Sequence, residues 1–277
     1  MNPLKNNLKN ERAKRRYFHW LKEACGYAES SSRDIEKAIW LYEDFSSHED
    51  YALFNPKRAT AYKKWLEDRR NNGKALSTAT QYHHLRHLKS FFKYLSDKQG
   101  YKSKITPDII SYLSLEKKKV REAIAPKGPK YPSLEYVRQL TASIEIKTEI
   151  DQRDRALVAF MLLSGMRDRA ISTLPLGCFD HVSLKLRQDT REGVETKFGK
   201  SFESVLFRFD ETLLKYVVEW AEYLEKVKLF STADPLFPRS KREQMEGGLT
   251  FICKAVEPFF WKGTGQIRKI LKNRATR

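Results

Sequence analysis

Leu162-Leu163-Ser164-Gly165-Met166-Arg167-Asp168-Arg169-Ala170-Ile171-Ser172-Thr173-Leu174 is the stretch on which the reading of this chain turns. An apolar run ends at a Ser-Gly break. A second helix follows, with apolar positions 170, 171 and 174 on one face for a core. Arg167 stands at the mouth of that helix, where it is free to point away from the core. The helix gives a cation no support there, because its N-terminus carries partial positive charge and favours anions. An arginine set against that preference suits a grip on phosphate. A solvated arginine at a helix end is the plain alternative.

Charge supports a polyanionic partner. The 277 residues carry a net charge of +18, with 40% hydrophobic and 32% charged residues. The surplus is uneven: residues 1–130 hold 28 Lys+Arg against 15 Asp+Glu, and the remainder 25 against 20. Cations that neutralise phosphates gain free energy by releasing counterions. No stretch approaches the roughly 20 apolar residues of a membrane span, and Met1–Arg16 is too polar for a secretory signal. No membrane partner is therefore expected. The three cysteines, Cys25, Cys178 and Cys253, are far apart and suit a reducing cytoplasm. They form neither a disulfide framework nor a metal-ligand pair. His83 and His87 share a helix face beside His84, but no Asp, Glu or Cys at ligand spacing completes a set, so no metal is expected.

Apolar periodicity predicts an all-helical first half. Helices are expected near Glu11–Cys25, Ser32–Phe45, Pro56–Arg70 and Ser77–Asp97, with a short piece after Pro107. Together they make a compact bundle over 1–116. On the fourth helix Gln81, His84, Arg86, Lys89 and Lys93 lie outside the apolar stripe, interleaved with Tyr82 and Tyr94, as groove and phosphate contacts require. Residues 117–132 read as an extended, basic, Pro-rich linker containing Lys118 and Lys119, suited to lying along a nucleic-acid backbone. Residues 133–277 read as mixed α and β: helices at Ser133, Arg155–Ser164 and Glu211–Lys226, and strands at His181–Leu186, Val194–Lys197 and Glu203–Phe209. The fold class expected is mainly α with a small β-sheet.

Several segments of the second half now line up with one family. Leu163-Ser164-Gly165-Met166-Arg167, followed by Ile171 and Leu174, resembles the first arginine box of the tyrosine recombinases, the phage-integrase family. Thr196-Lys197-Phe198-Gly199-Lys200-Ser201, before Val205-Leu206-Phe207, resembles that family's β-hairpin lysine. Gln266-Ile267-Arg268-Lys269-Ile270 resembles its second arginine box, and Leu236-Phe237-Pro238 a common stretch between them. The resemblance spans about Ser133–Arg277, and the helical first half is similar to the family's core-binding DNA-binding domain.

The resemblance implies an α+β catalytic domain over 133–277 and site-specific breaking and rejoining of double-stranded DNA. In that chemistry a tyrosine attacks a phosphodiester, forming a phosphotyrosine link and freeing a 5′ hydroxyl, with no cofactor. Arg167 and Arg268 would stabilise charge on the non-bridging oxygens. Lys197 would be the general acid toward the leaving oxygen, with Lys200 as its alternate. Arg86, Lys89, Lys93, Lys118, Lys119 and Lys200 are the remaining DNA-contact candidates. The family also implies a nucleoid-associated protein in the cytoplasm that forms a homotetramer on DNA when full-length; the free chain is expected to be monomeric.

The departures from the family pattern are specific. Gly265 stands where the second box usually has histidine, and the His or Trp expected after the second arginine is not present. The last tyrosine is Tyr223, upstream of Arg268. The expectation is a C-terminally incomplete recombinase that binds DNA and does not cleave it. A non-catalytic DNA-binding regulator reusing the fold is the second reading, and a helical RNA-binding protein the third.

Overall fold

A computed structural model describes residues 7–27, 29–71, 73–126, 128, 131–244 and 251–276. The chain is mainly α with small antiparallel sheets, in two compact units, 1–128 and 129–277.

The first unit is built of α1 (Leu8–Glu23), α2 (Glu29–Ser46), α3 (Pro56–Asp68), a short hairpin of β1 (Arg70–Asn71) and β2 (Lys74–Ala75), α4 (Thr78–Ser96), α5 (Pro107–Ser111) and α6 (Lys117–Ile124). Local chemistry sets the boundaries. Asn7, Asn55, Ser77 and Thr106 each accept a backbone N–H from the first turn that follows, and Pro56 and Pro107 stand where a missing N–H costs nothing. The apolar stripe of α4 buries Leu85, Leu88, Phe91, Phe92 and Leu95 among Tyr17, Tyr42, Tyr51 and Tyr62. Phe54 stacks on Phe92 with centroids 4.0 Å apart. Each such side chain contributes on the order of 1.5–3 kcal/mol by leaving water. Glu43 is buried without harm because the Tyr51 hydroxyl donates to it at 2.7 Å and the Lys14 ammonium at 2.8 Å.

The basic segment after residue 116 is not extended as expected. Residues 117–124 form α6, which packs on α4 within the first unit. Lys and Ala favour helix, and two cross-element bonds fasten it: Lys119 Nζ to Glu67 Oε1 at 2.5 Å and Thr78 Oγ1 to Glu122 Oε1 at 2.9 Å. The helix ends before Pro126. Lys127, Pro129 and Lys130 lie outside the described residues.

The second unit centres on α8 (Glu149–Ser164) packed against α10 (Glu211–Lys226), with α7 (Leu134–Ala142) alongside. Ser133 caps α7, and a reciprocal Thr148–Asp151 box starts α8. Gly165, at φ 59°, ends α8 in the left-handed conformation. The short α9 (Asp168–Ser172) follows, then an antiparallel sheet in the order β3 (Phe179–Asp180), β4 (Lys185–Gln188), β5 (Phe202–Val205). The remaining elements are the two-residue strands β6 (Arg239–Ser240), β7 (Glu243–Gln244), β8 (Phe251–Ile252) and β9 (Val256–Glu257), and α11 (Gly265–Ala275). Trp220 of α10 is fully buried and donates its indole N–H to the Leu236 carbonyl at 2.8 Å. Arg274 ties α11 to α8 through Asp151 at 2.7 Å and Asp154 at 2.9 Å.

The strand expectations need correction. Residues 181–184 are a turn, because the Asp180 carboxylate accepts the N–H groups of Val182 and Ser183 and Leu184 takes φ 61°. Residues 194–197 are not a strand: Val194 is drawn into the core from a loop. The last strand ends at Val205: the Leu206 N–H makes one further in-register bond to Leu184 O, and the Phe207 N–H then turns away to Leu163 O, both at 2.9 Å.

Candidate phosphate-binding site

Arg167 is the N-cap residue of α9, its carbonyl accepting the Ile171 N–H at 3.0 Å, and its exposed guanidinium has no hydrogen-bond or ion-pair partner among the described residues. The helical face behind it explains why. Ala170, Ile171 and Leu174 are buried and fix the α9 segment, so the residue at its mouth faces outward. Beneath Arg167 lies a cleft of about 240 Å³, lined also by Lys197, Lys200, Gln188, Thr196 and Phe202. Three cations face this cleft, and among the described residues no carboxylate lines it.

Lys197 and Lys200 reach the cleft from the 189–201 loop between β4 and β5; the sequence places Lys197 at the end of a strand, which is not formed, and Lys200 in the turn after it. Local bonds shape that loop. Thr190 N–H donates to Ser201 Oγ at 3.1 Å, and Ser201 Oγ donates to Asp189 Oδ1 at 3.2 Å. Bonds from the Arg191 guanidinium and its backbone N–H hold the Asp189 carboxyl well below the usual range. Thr196 Oγ1 donates to the Lys200 carbonyl at 2.6 Å, closing a tight turn in which Phe198 and Gly199 take φ 66° and 64°. Left-handed backbone at a phenylalanine is uncommon, and here it holds the two lysines on either side of the turn. Lys197 Nζ lies 5.0 Å from the Phe198 ring centroid and has no carboxylate partner among the described residues. The loop is fastened to α9 by the Arg169 fork, which meets both Glu195 oxygens at 2.6 Å, and by Glu195 N–H to Thr173 Oγ1 at 2.9 Å.

Arg268 does not line the cleft, but one carboxylate links it to that site. Its Nε and Nη2 donate to Asp168 Oδ2 at 3.0 and 2.8 Å, and Asp168 is the residue after Arg167. Arg268 remains 72% exposed, so the pair is open to solvent and to competition by another anion. Sequence reasoning missed Asp168, although an acid at the first position of a helix beside two arginines signals such a clamp. Gly265 is the first residue of α11, and a Cβ there would meet no heavy atom within 4 Å.

The remaining candidates divide. Arg86 and Lys93 are exposed on α4 and Lys118 on α6. Lys89 donates to Ser114 Oγ at 3.0 Å and Lys119 is paired with Glu67, so both are partly engaged. Gln81 and His84 are not on the exposed face as expected. Gln81 is 8% exposed and donates to the Leu76 carbonyl at 3.0 Å. His84 is 7% exposed, and burial, with Lys37 nearby, lowers its pKa to about 4. Tyr223 donates its hydroxyl to Glu149 Oε1 at 2.8 Å, and burial together with that carboxylate pushes its pKa up to about 12. Burial and Glu192 likewise push the Cys178 thiol up to about 12, which makes it unreactive. Among the described residues no three His, Cys, Asp or Glu side chains are grouped to hold a metal, and no helix is long and apolar enough to cross a membrane.

No protein-family model matches the chain, and no curated protein matches it. Two solved structures align along most of its length. XerA recombinase aligns over 96% of this chain and 76% of its own, at 15% identity and a TM-score of 0.34. An integrase from mycobacterium phage Brujita aligns over 95% and 71%, at 12% identity and a TM-score of 0.33.

Proposed function

We propose that the chain is a duplex-DNA-binding protein with the phosphate site of a tyrosine-type site-specific recombinase, and that this 277-residue polypeptide binds DNA without cutting it. The observation that carries the reading is the cleft itself. Arg167, Lys197 and Lys200 face one hollow that no carboxylate lines among the described residues, and Arg268 stands one carboxylate away. Three cations without acidic partners around a small hollow repel one another until an anion enters. A phosphodiester supplies that anion, with oxygens for the planar Arg167 fork and for two ammonium groups.

In this reading Arg167 and Arg268 hold the non-bridging oxygens. Arg268 reaches the phosphate by exchanging Asp168 for it. Lys197, or Lys200 across the turn, lies toward the leaving 5′ oxygen. Tyr223 does not supply the attacking hydroxyl in this reading. Tyr223 is engaged with Glu149 and hard to deprotonate, and no tyrosine follows it in the 277 residues. Gly265 further removes a phosphate-contacting imidazole from the second arginine box. Gly265 also favours the second reading, a regulator that binds DNA through this fold.

A nicked suicide duplex tests the proposal. Incubated with this polypeptide, it should yield a salt-sensitive complex that denaturant dissolves completely. A denaturant-resistant protein–DNA adduct would refute the binding-without-cleavage claim, and preference for single-stranded RNA over duplex DNA would refute the partner.

A further inference from the structure

The first unit contains a second cationic hollow that the recombinase reading does not use. It measures about 460 Å³, within the range of small-molecule pockets. Lys9, Arg12 and Arg16, spaced about one helical turn apart along α1, form one wall. Lys98 and Lys104, from the turns after α4, form the other. Between the walls lies an apolar floor that includes Ala13, Leu95 and the rings of Tyr94 and Tyr101.

Five cations meet one acid here. Asp50 pairs with Lys9 at 3.5 Å, while Arg12, Arg16, Lys98 and Lys104 have no carboxylate partner among the described residues. Lys98 instead rests its ammonium 4.5 Å from the Tyr94 ring centroid, a weak contact that an anion readily replaces. The Arg86 and Lys93 face of α4 does not line this hollow.

The geometry points to a nucleoside-phosphate site. Cationic walls on two sides clamp a compact, doubly charged terminal phosphate, and the guanidinium pair on α1 can meet it with planar forks. The apolar, aromatic floor suits the flat base or the sugar of the same ligand. A bare phosphate would leave that floor uncovered. A duplex presents its phosphates along a convex ridge and would meet the rim of the hollow without filling it.

Calorimetric titration of the 277-residue chain with adenosine 5′-monophosphate, inorganic phosphate and adenosine tests the assignment. The monophosphate should bind, inorganic phosphate at least tenfold more weakly, and adenosine not measurably. The exposed double variant Arg12→Ala/Arg16→Ala should lose at least tenfold in affinity with an unchanged melting temperature. Lys98→Ala/Lys104→Ala, on the opposite wall, should do the same, and Lys185→Ala, exposed on β4 away from both hollows, should bind as the parent does. The assignment is overturned if adenosine 5′-monophosphate does not bind, or if both pocket variants bind it normally. It is also overturned if the pocket variants lose only duplex-DNA affinity, which would make the hollow part of a DNA track.

Discussion

Arg167, Asp168 and Arg268 form the smallest unit on which the proposed function rests. The Arg167 guanidinium has no partner among the described residues, and Arg268 is held by a carboxylate that a phosphate resembles in charge and donor demand. Replacing Asp168 with Asn should therefore release Arg268 and remove a negative charge beside the site. Duplex-DNA affinity should rise severalfold at low salt, read by fluorescence anisotropy. The melting temperature should barely move, because so exposed a pair contributes only about 0–1 kcal/mol. A fall in affinity would mean that Asp168 positions Arg268 for DNA instead of competing with it. Gly265→His meets open space at the first position of α11. The melting temperature should hold or rise slightly, since glycine is a poor helix former, by about 1 kcal/mol against alanine in a helix interior.

Elements explain which expectations held in the structure and which did not. The break at Ser164-Gly165, the caps at Ser77 and Ser133, and α10 over Glu211–Lys226 were legible because a cap or a helical stripe is written in neighbouring residues. The turn at Gly199 was legible as a turn, but its closed form beside Lys197 was not. Its form depends on Asp189 meeting Ser201 and Arg169 meeting Glu195, contacts between residues far apart in sequence. The helix α6 was missed because its lysines suggested a solvated tether, whereas Lys119 and Glu122 are bonded to α3 and α4. His84 looked exposed because it borders the stripe, yet it sits in the core at 7% exposure. That burial has a consequence for pH. A buried neutral imidazole with a pKa near 4 gains a proton more readily when the chain unfolds, where its pKa is about 6.5. The first unit should thus keep its full stability above pH 6.5 and lose up to roughly 3 kcal/mol between pH 6.5 and 4. Replacing His84 with Leu should flatten that slope in urea titrations followed by circular dichroism; an unchanged slope would place the acid sensitivity elsewhere. Gly177 shows a different constraint: a Cβ there would lie 2.7 Å from Thr232 Cβ and 3.0 Å from its carbonyl. Gly177→Ala should cost about 1–3 kcal/mol in the same assay.

At the scale of the whole molecule, the proposed DNA binding is a matter of charge. A net charge of +18 predicts binding that weakens steeply with salt, whatever the base sequence. Each cation that truly contacts a phosphate should, when removed, reduce the salt slope by about one. Cations already engaged, such as Lys119 with Glu67, should contribute less than Arg86 or Lys93. Arg167 and Arg268 differ from all of these because the proposal places them on one phosphate. The most direct measurement is a double-mutant cycle of Arg167→Ala and Arg268→Ala on duplex-DNA affinity across a salt series. Each single variant should weaken binding and lower the slope, and the double variant should lose clearly less than the two losses combined. Affinity and slope unchanged in both singles, or losses that simply add, would contradict a shared phosphate.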